Sequence, residues 1–208
     1  MDDIRLFFSK TGNSRFISHL DLNRVFIRSI ASAKLPIWFT QGFHQHAYLV
    51  FGQPLPLGMA GLAETLDLRL DEPMQMKDIV DSLNAELPPD IRILKAAKPV
   101  HHIKEMAFAD YRIEMDMKYA KAFSDFWGQE KIETEKKTKR SVMTLDLKKD
   151  VPSLSYGEEN EKFIISTVLP VTFGPGVLMQ AFSEAIGEPV FCYQTRNRFL
   201  LYDQSEFC

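Results

Sequence analysis

Arg15, His19, Asp21 and His46 are the residues whose types and spacing come nearest to chemistry in this chain of 208. In Arg15-Phe16-Ile17-Ser18-His19-Leu20-Asp21 the polar groups crowd the expected start of a helix, where free backbone N–H groups and the helix dipole favour an anion. Arg24 and Arg28 continue four residues apart. One reading is that a phosphate or carboxylate is held by Arg15, the helix N-terminus and Arg24, with His19 as a neutral donor or proton shuttle. The competing reading makes Ser18 and Asp21 capping residues only, Arg24 and Arg28 a solvated stripe and His19 a satisfied surface histidine.

Downstream, Gln41-Gly42-Phe43-His44-Gln45-His46 puts His44 and His46 on one face of an extended segment, and His19 would complete a three-histidine set. Zinc sites ordinarily show several short-spaced ligand groups, so no metal is assigned. Gly42 is expected to supply a special backbone angle and Phe43 a packing plug. The loop Lys10-Thr11-Gly12-Asn13-Ser14-Arg15 has one glycine and no Gly-Lys-Ser/Thr ending, so it is not a nucleotide P-loop. No serine sits in a Gly-x-Ser-x-Gly elbow, and neither Cys192 nor Cys208 has a neighbouring base. Glu64 and Asp67, three apart in an expected strand, face opposite ways, and Glu64 is read as balancing Arg15 or Arg24. The basic run Lys136-Lys137-Thr138-Lys139-Arg140 is a solvated hairpin edge, and Arg196 and Arg198 share a face that joins a basic surface.

The elements that must position these residues read as follows. Ile4–Phe8 is a strand and Lys10–Ser14 a break; a helix then starts at the cap Ser18, carries Leu22, Val25, Phe26 and Ile30 at helical spacing and stops at Pro36. Strands at Ala47–Phe51 and Leu62–Leu70 flank the loop Pro54-Leu-Pro-Leu-Gly58, with Glu64 the odd member of the inward series Leu62, Glu64, Leu66, Leu68, Leu70. A helix at Met76–Leu87 and a strand at Ile91–Leu94 complete β-α-β-β-α-β, the ferredoxin-like order. The fold class is therefore α+β: a ferredoxin-like first domain over residues 1–98 that holds the candidate site, a join at 98–108, and a second α+β domain over 106–208 read as a further ferredoxin-like unit. In the second domain, strands are expected at Tyr111–Met117, Lys131–Glu135, Ser141–Leu147, Lys162–Leu169 and Val190–Tyr202. Helices are expected at Tyr119–Trp127 and Val177–Ile186, the latter behind Gly174-Pro175-Gly176 and closed by Gly187, and Tyr156–Glu161 is a polar hairpin tip.

The 45% hydrophobic content supports real cores. No run approaches the roughly 18–20 apolar residues of a membrane span, no signal-peptide layout opens the chain, and two cysteines make no disulfide framework. A cytoplasmic, reduced setting is expected. The net charge of −3 argues against bulk coating of nucleic acid, and nothing points to DNA. Residues 1–58 nevertheless hold six Lys/Arg against three Asp/Glu, a +3 part followed by a −6 remainder.

Arg15-Phe-Ile-Ser-His-Leu-Asp-Leu, Gln41-Gly-Phe, Leu55-Pro-Leu-Gly58 and Glu64-Thr-Leu-Asp67 together resemble the radical-SAM-linked family of unknown function DUF2344, strongly over residues 4–100. The resemblance implies a radical SAM protein as partner, since family members occur fused to one or encoded beside one. It carries the family's Arg-Phe-x-Ser-His-x-Asp element onto Arg15, Phe16, Ser18, His19 and Asp21, and its Gly-Phe-Asn-Pro-His-Pro element onto Gly42, Phe43, His44, Gln45, His46 and Ala47. Here Asn and both prolines are replaced, and His44 is not a family feature, which weakens the three-histidine idea. The expected binding residues are Arg15, His19, Asp21, Arg24, Gly42, Phe43 and His46, with no cofactor. The leading expectation is a non-catalytic accessory or substrate-binding module that works with a radical SAM enzyme on RNA or another anionic substrate. Two alternatives stand beside it: an RNA-processing enzyme of the tandem ferredoxin-like ribonuclease type, with His19 or His46 as general base and Gly174–Gly176 as a phosphate loop, and a structural adaptor.

Overall fold

The computed structural model describes residues 1–137 and 142–208. They fall into two compact units, Met1–Glu105 with Glu206–Cys208, and Met106–Ser205. Residues 206–208, expected in the second domain, join the first because the Phe207 ring is buried and lies 4.4 Å from the Arg5 guanidinium. No described helix is long and apolar enough to cross a membrane.

In the first unit the elements are β1 (Asp2–Lys10), α1 (His19–Ser32), β2 (Leu49–Phe51), β3 (Ala60–Leu70), α2 (Met76–Glu86) and β4 (Ile91–Ala97). All pairings are antiparallel and give the order β4-β1-β3-β2, that of the ferredoxin-like βαββαβ unit. Ile4, Leu6 and Phe8 on β1 and Leu66, Leu68 and Leu70 on β3 alternate inward and meet Leu22, Phe26 and Ile30 of α1 and Ile79 and Leu83 of α2. Each such side chain contributes about 1.5–3 kcal/mol on burial. Ser18 caps α1, its hydroxyl accepting from Asp21 N–H, as the sequence predicts.

Two local expectations change. β2 is only three residues long because Phe39 bridges Ala47 and Tyr48 N–H donates to Trp38 C=O, which pairs 38–40 with 46–48 as a hairpin, itself tied to β3 where Ile37 bridges Leu70. The inward series of β3 fails at Leu62, which is 45% exposed. Phe8 opposes Glu64 while Lys10 opposes Gly61, so β3 carries one extra residue there, and the bulge reverses the alternation.

The second unit contains β5 (Phe108–Asp116), α3 (Ala120–Trp127), β6 (Glu133–Lys137), β7 (Val142–Asp146), the single turn α4 (Leu147–Asp150), β8 (Ser153–Glu159), β9 (Lys162–Pro170), α5 (Pro175–Ile186) and β10 (Cys192–Leu200). Its sheet order, β10-β5-β9-β8, repeats that of the first unit, with the antiparallel β6–β7 pair inserted between α3 and β8. Phe123 and Phe126 of α3 pack on Phe182 of α5, and Gly187 ends α5 in the left-handed region, as predicted.

Three readings of this half need correction. Tyr156–Glu159 is strand, not turn; the hairpin tip is only Asn160-Glu161, both at positive φ, as a two-residue turn requires. Arg196 and Arg198 do not share a face: opposite them β5 advances one residue, so Asn197 is bulged, Arg196 is buried and Arg198 pairs with Asp110. Met117 and Leu147 leave their strands because Asp116 and Asp146 cap the turns that begin there. The basic run over 136–140 and the start of the strand expected at Ser141 fall largely on 138–141, outside the described residues; Lys136 Nζ donates to Thr172 C=O.

Candidate functional site

The segment from Lys10 to Gly58 is built around a short 3-10 turn, Gly12–Phe16, between β1 and α1. Lys10 follows Ile4, Leu6 and Phe8 in the inward register, so its ammonium is fully buried and donates to Ile17 C=O at 3.1 Å and, at 3.4 Å, to Arg15 C=O. Burial pushes its pKa down, and the negative charge of the buried Glu64 opposes that shift. Glu64 thus supports the charge of Lys10, and of the two arginines it was expected to balance, Arg24 pairs with Asp21 instead. Neither Lys10 nor its role was legible as a site residue; the signal was a lysine at the inward step of a strand.

The loop compared with a phosphate cradle does hold an anion, and it is the protein's own. Asn13 and Ser14 N–H donate to Asp90 Oδ2 at 2.8 and 3.3 Å, and Thr11 N–H donates to Asp90 C=O at 2.9 Å. Gly12 takes φ +48°, and a Cβ there would lie 2.5 Å from the Asp90 carboxylate.

Arg15 binds back to the Leu55–Gly58 loop: its Nε donates to Gly58 C=O at 2.8 Å, and Gly58 N–H donates to Arg15 C=O at 2.9 Å. His19 opens α1 and sets its ring edge-on to Phe51 at 5.0 Å, within the cluster Phe8, Phe26 and Phe51; its Nδ1 is buried without a hydrogen-bond partner. Asp21 accepts from Ser18 Oγ at 2.7 Å and from Arg24 at 3.0 Å. Those bonds hold its carboxyl below the usual range, with Ser18 the larger cause. The start of α1 therefore already carries a carboxylate, and Arg24 is paired with it.

On the hairpin arm, Gly42 takes φ +133°, the special angle expected of it. Phe43 is no packing plug: it is fully exposed at the tip. His46 is held upright by Thr40, whose Oγ1 lies 3.0 Å from Nδ1, and by His44 C=O at 3.2 Å. Ser18, Asp21 and Arg24 come together, and Arg15 joins Gly58; among the described residues no hydrogen bond or ion pair links His19 or Asp21 to His46. No group of three or more His, Cys, Asp or Glu among them is placed to hold a metal ion.

What the segment does present is apolar. Phe16, Leu20, Phe39, Phe43 and Leu57 are exposed, and with Ile27, Val50 and Leu62 they make eight of the eleven exposed large hydrophobic residues of the first unit, within residues 16–62.

Residues 3–176 match the model of a family described as an uncharacterized protein conserved in bacteria, DUF2344. No curated protein matches the chain. Among solved structures the chain is similar to one in a crystal structure of a Cbf5-Nop10-Gar1 complex, with a TM-score of 0.53 and 11% identity over 94% of this chain and 48% of that one. The likeness is one of fold, and the chain spans about half the length of the one it matches.

Proposed function

The chain belongs to the DUF2344 family, and from that premise we propose that it is a non-catalytic accessory module that works with a radical SAM enzyme on RNA or another anionic substrate. The observation that carries this reading is the division of labour in the Lys10–Gly58 segment. The charged groups at its helix start are matched within the protein, Asp21 with Ser18 and Arg24 at the surface, and its backbone cradle is filled by Asp90, while Phe16, Leu20, Phe43 and Leu57 face outward. A segment that performed acid-base chemistry would gather titratable groups around a cleft. This one offers apolar anchors of the kind that dominate protein interfaces, and the radical SAM enzyme is the partner that the sequence resemblance implies.

The ribonuclease alternative asks for His19 or His46 beside an anion seat, but His46 is engaged by Thr40 and the helix start is filled by Asp21. The test is co-expression of the full chain with a radical SAM protein of the same genome, followed by co-purification, and a separate titration of single-stranded RNA. Co-elution that falls at least about tenfold in Phe43→Ala or Phe16→Ser is the expected result. Failure both to co-elute and to bind RNA would overturn the proposal, and metal-independent cleavage of RNA lost in His46→Ala would replace it with the enzyme.

A further inference from the structure

A cavity of about 390 Å³ opens on the first unit, walled by Asp3, Arg5, Tyr48, Asp67, Arg69 and the neighbouring histidines His101 and His102. Asp3, Arg5, Asp67 and Arg69 project from the sheet face opposite Ile4, Leu6, Leu66 and Leu68, which pack on the helices. Arg5 and Asp67 are direct cross-strand partners, as are Asp3 and Arg69. Arg5 is scaffold: it is fully buried, its Nε and Nη2 bind both oxygens of Asp67 at 2.7 and 2.8 Å, and its Nη1 donates to Cys208 C=O at 3.0 Å.

We infer that this cavity accepts a nucleobase, with guanine the preferred one; the inference deepens the reading of the protein as a module that handles RNA. Three features carry it. The volume lies near the lower end of the roughly 300–1,000 Å³ of ligand pockets, room for a ring system. The lining charges cancel pairwise, Arg5 with Asp67 and Arg69 with Asp3, so the cavity gives a phosphate no net attraction. Finally, the wall includes the Tyr48 ring and the Arg69 guanidinium 4.9 Å from it, with Trp38 behind Arg69 at 5.2 Å, and an aromatic ring and a guanidinium are the groups on which bases stack.

The polar complement selects among bases. Each carboxylate oxygen of Asp3 and Asp67 that accepts from an arginine keeps a further lone pair for an N–H donor. His102 Nδ1 accepts from Lys104 N–H at 3.1 Å, so in the neutral ring the proton sits on Nε2, which is a donor. Guanine is the base whose edge pairs adjacent N–H donors, matched to a carboxylate, with a carbonyl matched to a histidine N–H. Uracil offers a single N–H.

The experiment follows Trp38 fluorescence in the full chain carrying Trp127→Phe, titrated with guanosine, guanosine monophosphate, uridine and a short guanine-containing single-stranded RNA. Guanosine is expected to give a saturable change, with uridine at least about tenfold weaker. Tyr48→Ala should weaken guanosine at least about tenfold, and Tyr48→Phe, which keeps the ring, should retain it. Urea midpoints identify any variant that has lost its fold, and Asp3→Asn, at a half-exposed carboxylate, gives a second probe. Equal affinity for the nucleoside and the RNA supports a free nucleoside as the source, and tighter RNA binding supports a base of a strand. The inference is overturned by the absence of a saturable change, by a guanosine response unaltered in folded Tyr48→Ala and Asp3→Asn, or by monophosphate binding tenfold tighter than nucleoside. RNA binding that persists in those variants sinks the pocket and leaves the accessory reading. Guanosine binding by a chain that takes neither RNA nor the radical SAM protein does the reverse.

Discussion

Asp90 decides what the Lys10–Arg15 loop is. Backbone N–H groups converging on a carboxylate are the arrangement that elsewhere receives phosphate, and here Asn13 and Ser14 donate to a side chain some 76 residues downstream. Asp90→Ala should leave those donors without their acceptor and lower stability by about 1–2 kcal/mol, read as a shift of the urea midpoint with unchanged slope. Lys10 carries the larger stake. Lys10→Met removes a charged donor from two buried carbonyls, a loss of about 2–3 kcal/mol. The pH dependence has a definite sign. Because burial lowers the folded pKa of Lys10 below its unfolded value, the unfolded chain binds more protons between the two, and stability rises with pH across that window. The gap in stability between the parent and Lys10→Met should therefore widen as the pH is raised into the alkaline range, and a gap that narrows would sink this account of the buried ammonium.

At the scale of elements, what local rules control was readable in the sequence. Ser18, the spacing Leu22, Phe26, Ile30, and Gly187 mark the helix ends and faces in residues no more than a turn or two apart. What long-range pairing controls was not. The bulge at Leu62 and the one at Asn197 arise from register against partner strands, and no spacing within β3 or β10 announces them. The anion that fills the cradle comes from Asp90 and the cation near Glu64 from Lys10, so the site residues were visible but their partners were not. β8 was missed for a different reason: Ser153–Glu159 is an edge strand with mostly exposed, polar side chains, which carry no hydrophobic alternation. Its turn yields a prediction. Glu161 sits at φ +60° in a two-residue connection that favours glycine, so Glu161→Gly should stabilise the second unit by about 0.5–1 kcal/mol, seen as a later thermal midpoint by Trp127 fluorescence.

For the whole molecule, the informative feature is that the chain completes the second unit and then returns to the first. Glu206–Cys208 belong with Met1–Glu105, and the return is made by few groups: the Phe207 ring on Arg5, Cys208 C=O accepting from Arg5 Nη1, and His101 N–H donating to the same carbonyl. Arg5 is buried at the centre of β1, so its third donor group depends on those last residues; without them a buried guanidinium loses a charge-assisted bond and a covering ring at once. Phe207→Ala should cost the first unit about 3–5 kcal/mol by loss of a buried aromatic side chain. The two tryptophans allow the effect to be located, since Trp38 lies in the first unit and Trp127 in the second. In Trp127→Phe and Trp38→Phe backgrounds, unfolding by urea should show the lowered midpoint in the Trp38 signal. A destabilisation confined to the Trp127 signal would mean that the terminal residues serve the second unit instead, and the role assigned to Phe207 and Cys208 in holding Arg5 against Asp67, and with it the floor of the cavity, would fall.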